Sequence, residues 1–133
     1  MEVNNSRIRV GRIIFFILTI LFTLCIFVQF YLGGKAIFEY PVYWSKHIKF
    51  VHLFGFNLPV LMLIFAILGS LPRWAYWQLS GIFLSIYLMY FTANIRSVLP
   101  WVGSIHPVVG ILLFVLSFLL LSKSWKLIFR KNL

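Results

Sequence analysis

Acid and thiol are almost missing from this chain: two of its 133 residues are acidic, Glu2 and Glu39, and one is a cysteine, Cys25. Without a carboxylate pair, a serine–histidine–acid set or a glycine-rich phosphate loop, hydrolase and kinase chemistry has no residues to stand on. A single cysteine makes no intramolecular disulfide and excludes paired-thiol redox chemistry, which leaves Cys25 as a small packing residue. Charge of any kind is scarce. Charged residues make up 11% of the chain, against about a quarter in an average soluble domain.

What is present is apolar. The hydrophobic fraction is 62% and the aromatic fraction 20%, more than a globule of this length can hide from water, so lipid is the solvent for most of it. Residues 13–32 carry no charge, and further uncharged runs cover 50–72, 74–95 and 97–122. About twenty apolar residues at a rise of 1.5 Å cross the roughly 30 Å hydrocarbon core. The runs are continuous rather than alternating, which selects helices over barrel strands. The first run is too long for the apolar stretch of a cleaved leader, and "YLGGKAIF" is a weak cleavage context. The sequence therefore predicts an all-α, polytopic membrane protein: one domain of four transmembrane helices, at about 10–33, 48–71, 74–96 and 106–129, in an up-down bundle.

The net charge of +10 does not describe a nucleic-acid-binding face, because the bases cluster at the ends of the apolar runs. With the N-terminus inside, Arg7, Arg9, Arg12, Arg73, Lys123, Lys126, Arg130 and Lys131 fall on the cytoplasmic side, and Lys35, Lys46, Lys49 and Arg96 on the outer side. That asymmetry predicts both termini in the cytoplasm. Interfacial aromatics follow the same division, with Tyr40, Tyr43, Trp44 and Trp101 outside and Trp74, Tyr76, Trp77 and Trp125 inside.

Two histidines open apolar runs. His52 is followed by Gly55 and His106 by Gly110, at spacings that share a helix face, and Pro107 suits the first turn of the fourth helix. In an up-down bundle the second and fourth helices lie on a diagonal, so His52 and His106 are expected at similar depth, facing across the interior. Paired axial histidines hold haem iron, and a small residue one turn away leaves room for a macrocycle. The expected site is thus one haem b on His52 and His106, with Gly55 and Gly110 beside them and Gln29 and Asn94 lining the same outer pocket. Gly33 joins Gln29 on the first helix, and Gly81, Ser85 and Thr92 form a stripe on the third. The same residues also read as interfacial or packing histidines, or as a polar pocket for another ligand such as a quinone head group. His47, about 140° round the helix from His52, is expected at headgroup level, and no zinc set surrounds it.

Other polar positions have structural readings. No span holds Asp, Glu, Lys or Arg at its centre, which argues against a proton pump or a carboxylate-relay transporter. Asn57 and Gln78 are expected to join helices through amide hydrogen bonds, Glu39 to pair with Lys35 or a headgroup amine, and Pro59 to bend the second helix.

The segments "QFYLGG", "HLFG" and "IHPVVG" resemble a bacterial family of small four-helix membrane proteins of unknown function. In that family a glutamine ends the first helix, a histidine with a nearby glycine opens the second, and a His-Pro pair opens the fourth. The matching residues are Gln29, Gly33, His52, Gly55, His106 and Pro107. The resemblance implies an architecture and no activity. The layout is also similar to four-helix b-type cytochromes, which carry ligands for a haem near each face; lacking an inner-side histidine, this chain would hold one haem. The expected setting is a bacterial cytoplasmic membrane. The function expected is non-enzymatic: a haem-binding membrane protein, or a cofactor-free one such as an accessory subunit or immunity-type protein, with a membrane-protein partner or a second copy.

Overall fold

The computed structural model describes residues 2–130, with side chains from residue 5 onward. Lys131, counted above in the cytoplasmic set, and the side chain of Glu2 lie outside the described residues. The elements are α1 (Glu2–Phe38), α2 (Tyr43–Phe54), α3 (Asn57–Leu68), α4 (Arg73–Ile95), α5 (Pro100–Gly103) and α6 (His106–Phe129). Four segments are long and apolar enough to cross a membrane: Asn5–Phe38, Tyr43–Leu68, Arg73–Ile95 and Pro100–Phe129.

The first helix is longer than expected at both ends. Gly33 and Gly34 do not stop it, since neither has positive φ. A 2.8 Å Lys35–Glu39 ion pair ties its last turn, and the chain turns only at Pro41, where proline disfavours helix in the residue before it. The second span therefore starts at Tyr43, not 48. It breaks at Gly55–Phe56 into α2 and α3, because Pro59 cannot donate to the Gly55 carbonyl and its ring crowds that turn. The Asn57 amide reaches back 2.7 Å to the Leu53 carbonyl across the break.

Buried positions recur every three or four residues along each span. In α1 they include Gly11, Phe15, Thr19, Phe22 and Ile26; in α6, Val109, Leu113, Ser117, Leu120 and Ser124. Steps of three and four residues stay close to the α-helical turn of about 3.6 residues, so one seam of each helix faces its neighbours. The first span packs against the second and fourth, and the third against those same two. Second and fourth are consequently diagonal, as expected. Small residues on the seams permit close approach: the Thr23 and Ser117 hydroxyls are 3.2 Å apart between first and fourth spans. Lipid-side positions are large and apolar, such as Phe27, Ile64 and Phe118.

The end that holds the start of α1 and the end of α6 is clamped by backbone contact. A Cβ placed on Gly11 would lie 2.6 Å from the Gly69 nitrogen, so α1 and the end of α3 meet with no side chain between them. The neighbouring Arg12 donates through Nε to the Gly69 carbonyl at 3.0 Å, satisfying one of the carbonyls a helix end leaves free. Ser70 then takes φ 44° to turn the chain toward Arg73.

Candidate functional site

The opposite end of the bundle holds the histidines, and the structure brings two of them together. The rings of His47 and His106 have centroids 6.5 Å apart at an interplanar angle of 60°. They come from the diagonal second and fourth spans and are both half-buried. The first span passes alongside at Gly33, where a Cβ would sit in ordinary contact with His47, 3.9 Å from Nδ1. Trp44 packs edge-on against His47 with ring centres at 5.8 Å.

Each ring is oriented by a main-chain carbonyl of a neighbouring span. His47 Nδ1 is 3.1 Å from the Gln29 carbonyl oxygen, and His106 Nδ1 is 3.0 Å from the Met89 carbonyl oxygen. A carbonyl oxygen only accepts, so Nδ1 carries the proton and donates in both rings. His106 Nδ1 also lies 3.0 Å from the Thr92 hydroxyl, which itself donates to the Leu88 carbonyl at 2.8 Å. With Nδ1 protonated, Nε2 of each neutral imidazole holds the lone pair. A carbonyl on one nitrogen and a lone pair on the other is the arrangement that orients metal-ligating histidines.

His52 takes a different place. It is exposed, its ring stacks on Tyr90 with centroids 5.5 Å apart, and its Nδ1 is 3.3 Å from the Tyr90 hydroxyl. The space at Gly55 is occupied by the Val51 carbonyl and the Tyr90 hydroxyl, 2.7 and 3.2 Å from where a Cβ would stand. At Gly110 the ends of Phe30 and Met89 approach to 3.3 and 3.4 Å of the corresponding point, so the turn beneath His106 is packed. Asn94 is exposed and its amide donates to the Tyr90 carbonyl of its own helix. Gln29 lies on the inward seam of α1; its main-chain oxygen receives His47, and its side-chain Oε1 is buried without a partner among the described residues. Ser85 and Thr92 are buried on the inward face of α4, with Gly81 half-buried.

His47, expected at headgroup level, turns its ring inward toward the fourth span, a direction that the sequence pattern signals. Tyr43, His47, Phe50 and Phe54 recur every three or four residues along one side of α2, and Phe54 is buried against Phe22. Around the pair, the histidine end also collects Lys35, Lys46, Lys49 and Arg96. Lys35 and Lys46 lie over the Tyr43 ring at 4.7 and 4.6 Å.

No group of three or more His, Cys, Asp or Glu able to hold a metal ion exists among the described residues, so a closed protein-only metal cage is absent there.

A family model described as a family of unknown function (DUF6220) matches residues 29–95. The chain belongs to that family. The match begins at Gln29 and takes in Gly33, His47, His52 and Gly55; His106 and Pro107 lie beyond it. No curated protein and no solved structure matches the chain.

Proposed function

We propose that this member of the family is a multi-pass protein of a bacterial cytoplasmic membrane that binds one haem b between His47 and His106. One observation carries the reading: two imidazoles, each with Nδ1 on a carbonyl, whose ring centres are 6.5 Å apart. Both rings would keep a lone pair free at Nε2, and they lie close enough for one group to engage both. Two protein ligands without carboxylate or thiolate suit a metal whose other positions come from a macrocycle.

When bound, haem would supply one-electron chemistry or a haem-handling role. The chain's part would be to hold the two rings in one tautomer and to exclude water with the seams below, and the cations Lys46, Lys49 and Arg96 at the same end would offset the negative charge of the group. The excess of bases at the other end supports placing that end in the cytoplasm and the histidine pair in the outer half.

Absorbance of the full-length protein, purified after expression with ample haem, tests the reading. A Soret band at one haem per chain is expected, and a colourless protein overturns it. One observation favours the cofactor-free alternative, an accessory or immunity-type protein: Phe30 and Met89 fill the space beside Gly110, which a macrocycle there would have to displace.

A further inference from the structure

Asn57 stands near the middle of the second span, Tyr43–Leu68, on a face exposed to lipid. Its Nδ2 donates to the Leu53 carbonyl at 2.7 Å. That leaves one N–H and the whole acceptor capacity of Oδ1 without a partner among the described residues. Exposed hydroxyls elsewhere on the bundle differ. Ser80 and Ser122 donate their single proton to carbonyls four residues back on their own helices. Asn94 is also exposed but lies at the end of its span, where headgroups and water can serve it. Hydrocarbon offers nothing to an amide at mid-depth, and polar groups in spans find partners on other helices.

We infer that this face pairs two copies of the chain, with Asn57 against Asn57 of the second copy. Copies inserted in the same direction place Asn57 at one depth. A two-fold axis along the membrane normal can therefore bring each residue onto itself, as in a self-complementary interface. The amide suits this symmetry because it carries both a donor and an acceptor, so two can exchange reciprocal hydrogen bonds. Leu53, Val60, Leu61 and Ile64 extend the same exposed face along the span and supply apolar packing around the pair. The pairing is independent of any cofactor.

Disulfide crosslinking in phosphatidylcholine–phosphatidylglycerol vesicles at high lipid-to-protein ratio tests it, using the full chain with Cys25→Ser as background. Val60→Cys should give a crosslinked dimer. Ile17→Cys, exposed on the first span, should not. Adding Asn57→Ser keeps a hydroxyl to bond the Leu53 carbonyl but removes the paired amide, and should weaken dimerisation roughly tenfold. Asn57→Gln should retain it. The inference is overturned if Val60→Cys fails to crosslink, if Ile17→Cys crosslinks equally, or if Asn57→Ser leaves the yield unchanged.

Discussion

His47 and His106 meet across the bundle at 6.5 Å, while His52, a turn and a half further along the second span, faces outward onto Tyr90. If the meeting pair ligates haem, His47→Ala and His106→Ala should each abolish or greatly reduce the Soret band. His52→Ala should leave it intact. The reverse pattern, loss with His52→Ala and retention with His47→Ala, would return the site to the His52 face. Ligation needs neutral imidazoles, so acid should release the group, protons competing for Nε2.

The four-helix architecture was legible because lipid leaves so few solutions. Charge-free runs of about twenty residues admit only helices, and short connections make neighbours antiparallel. Pro59 announced the break in the second span, and Pro107 the start of α6. Of the histidine geometry, the place of His106 at the mouth of the fourth helix was legible, but the ring that meets it across the bundle is that of His47 and not of His52. Gly55, three residues after His52, looked like space for a ligand, whereas it is taken up by the Val51 carbonyl and the Tyr90 hydroxyl. The inward phase was set instead by the seam through His47 and Phe54, which the break at Gly55 interrupts. Carbonyl acceptors such as those of Gln29 and Met89 leave no mark in a sequence, since every residue has one.

The Gly11–Gly69 contact should be among the least tolerant points of the fold. A Cβ at Gly11 meets main-chain atoms of Gly69 at 2.6 and 2.7 Å, and backbone cannot swing aside as a side-chain end can. Gly11→Ala should therefore destabilise by about 1–3 kcal/mol, measured as a lower thermal midpoint in detergent. Gly34 has nothing within 4 Å of its Cβ position, so Gly34→Ala should be neutral or stabilise by up to about 1 kcal/mol through helix propensity. Equal midpoints for the two variants would remove the clamp from the account.

Gly110 is a softer case of the same kind. Its neighbours at 3.3 and 3.4 Å are the ends of Phe30 and Met89, both able to move. Gly110→Ala should cost little. Gly110→Leu overfills a buried seam position and should lower stability by roughly 1–3 kcal/mol. Unchanged stability of the leucine variant would mean that this part of α6 faces lipid.

Topology follows from which bases share an end. The α1 start and the α6 end lie together, with the Phe16 ring packed against both Trp125 and Phe129, centroids 5.8 Å apart in each case. This end therefore gathers Arg7, Arg9, Arg12, Lys123, Lys126 and Arg130, and the turn before Arg73 joins it through Arg12 and Gly69. The other end has Lys35, Lys46, Lys49 and Arg96. The Lys35–Glu39 pair does not change the comparison, because acidic residues contribute little to orientation. Reporter fusions after Arg73 and at Leu133 should both behave as cytoplasmic, and an insertion near Tyr40 as external. If the two fusions disagree, the number of membrane crossings is not four. If all three positions invert together, the four spans stand but the bases have not set their direction, and the histidine pair moves to the cytoplasmic half.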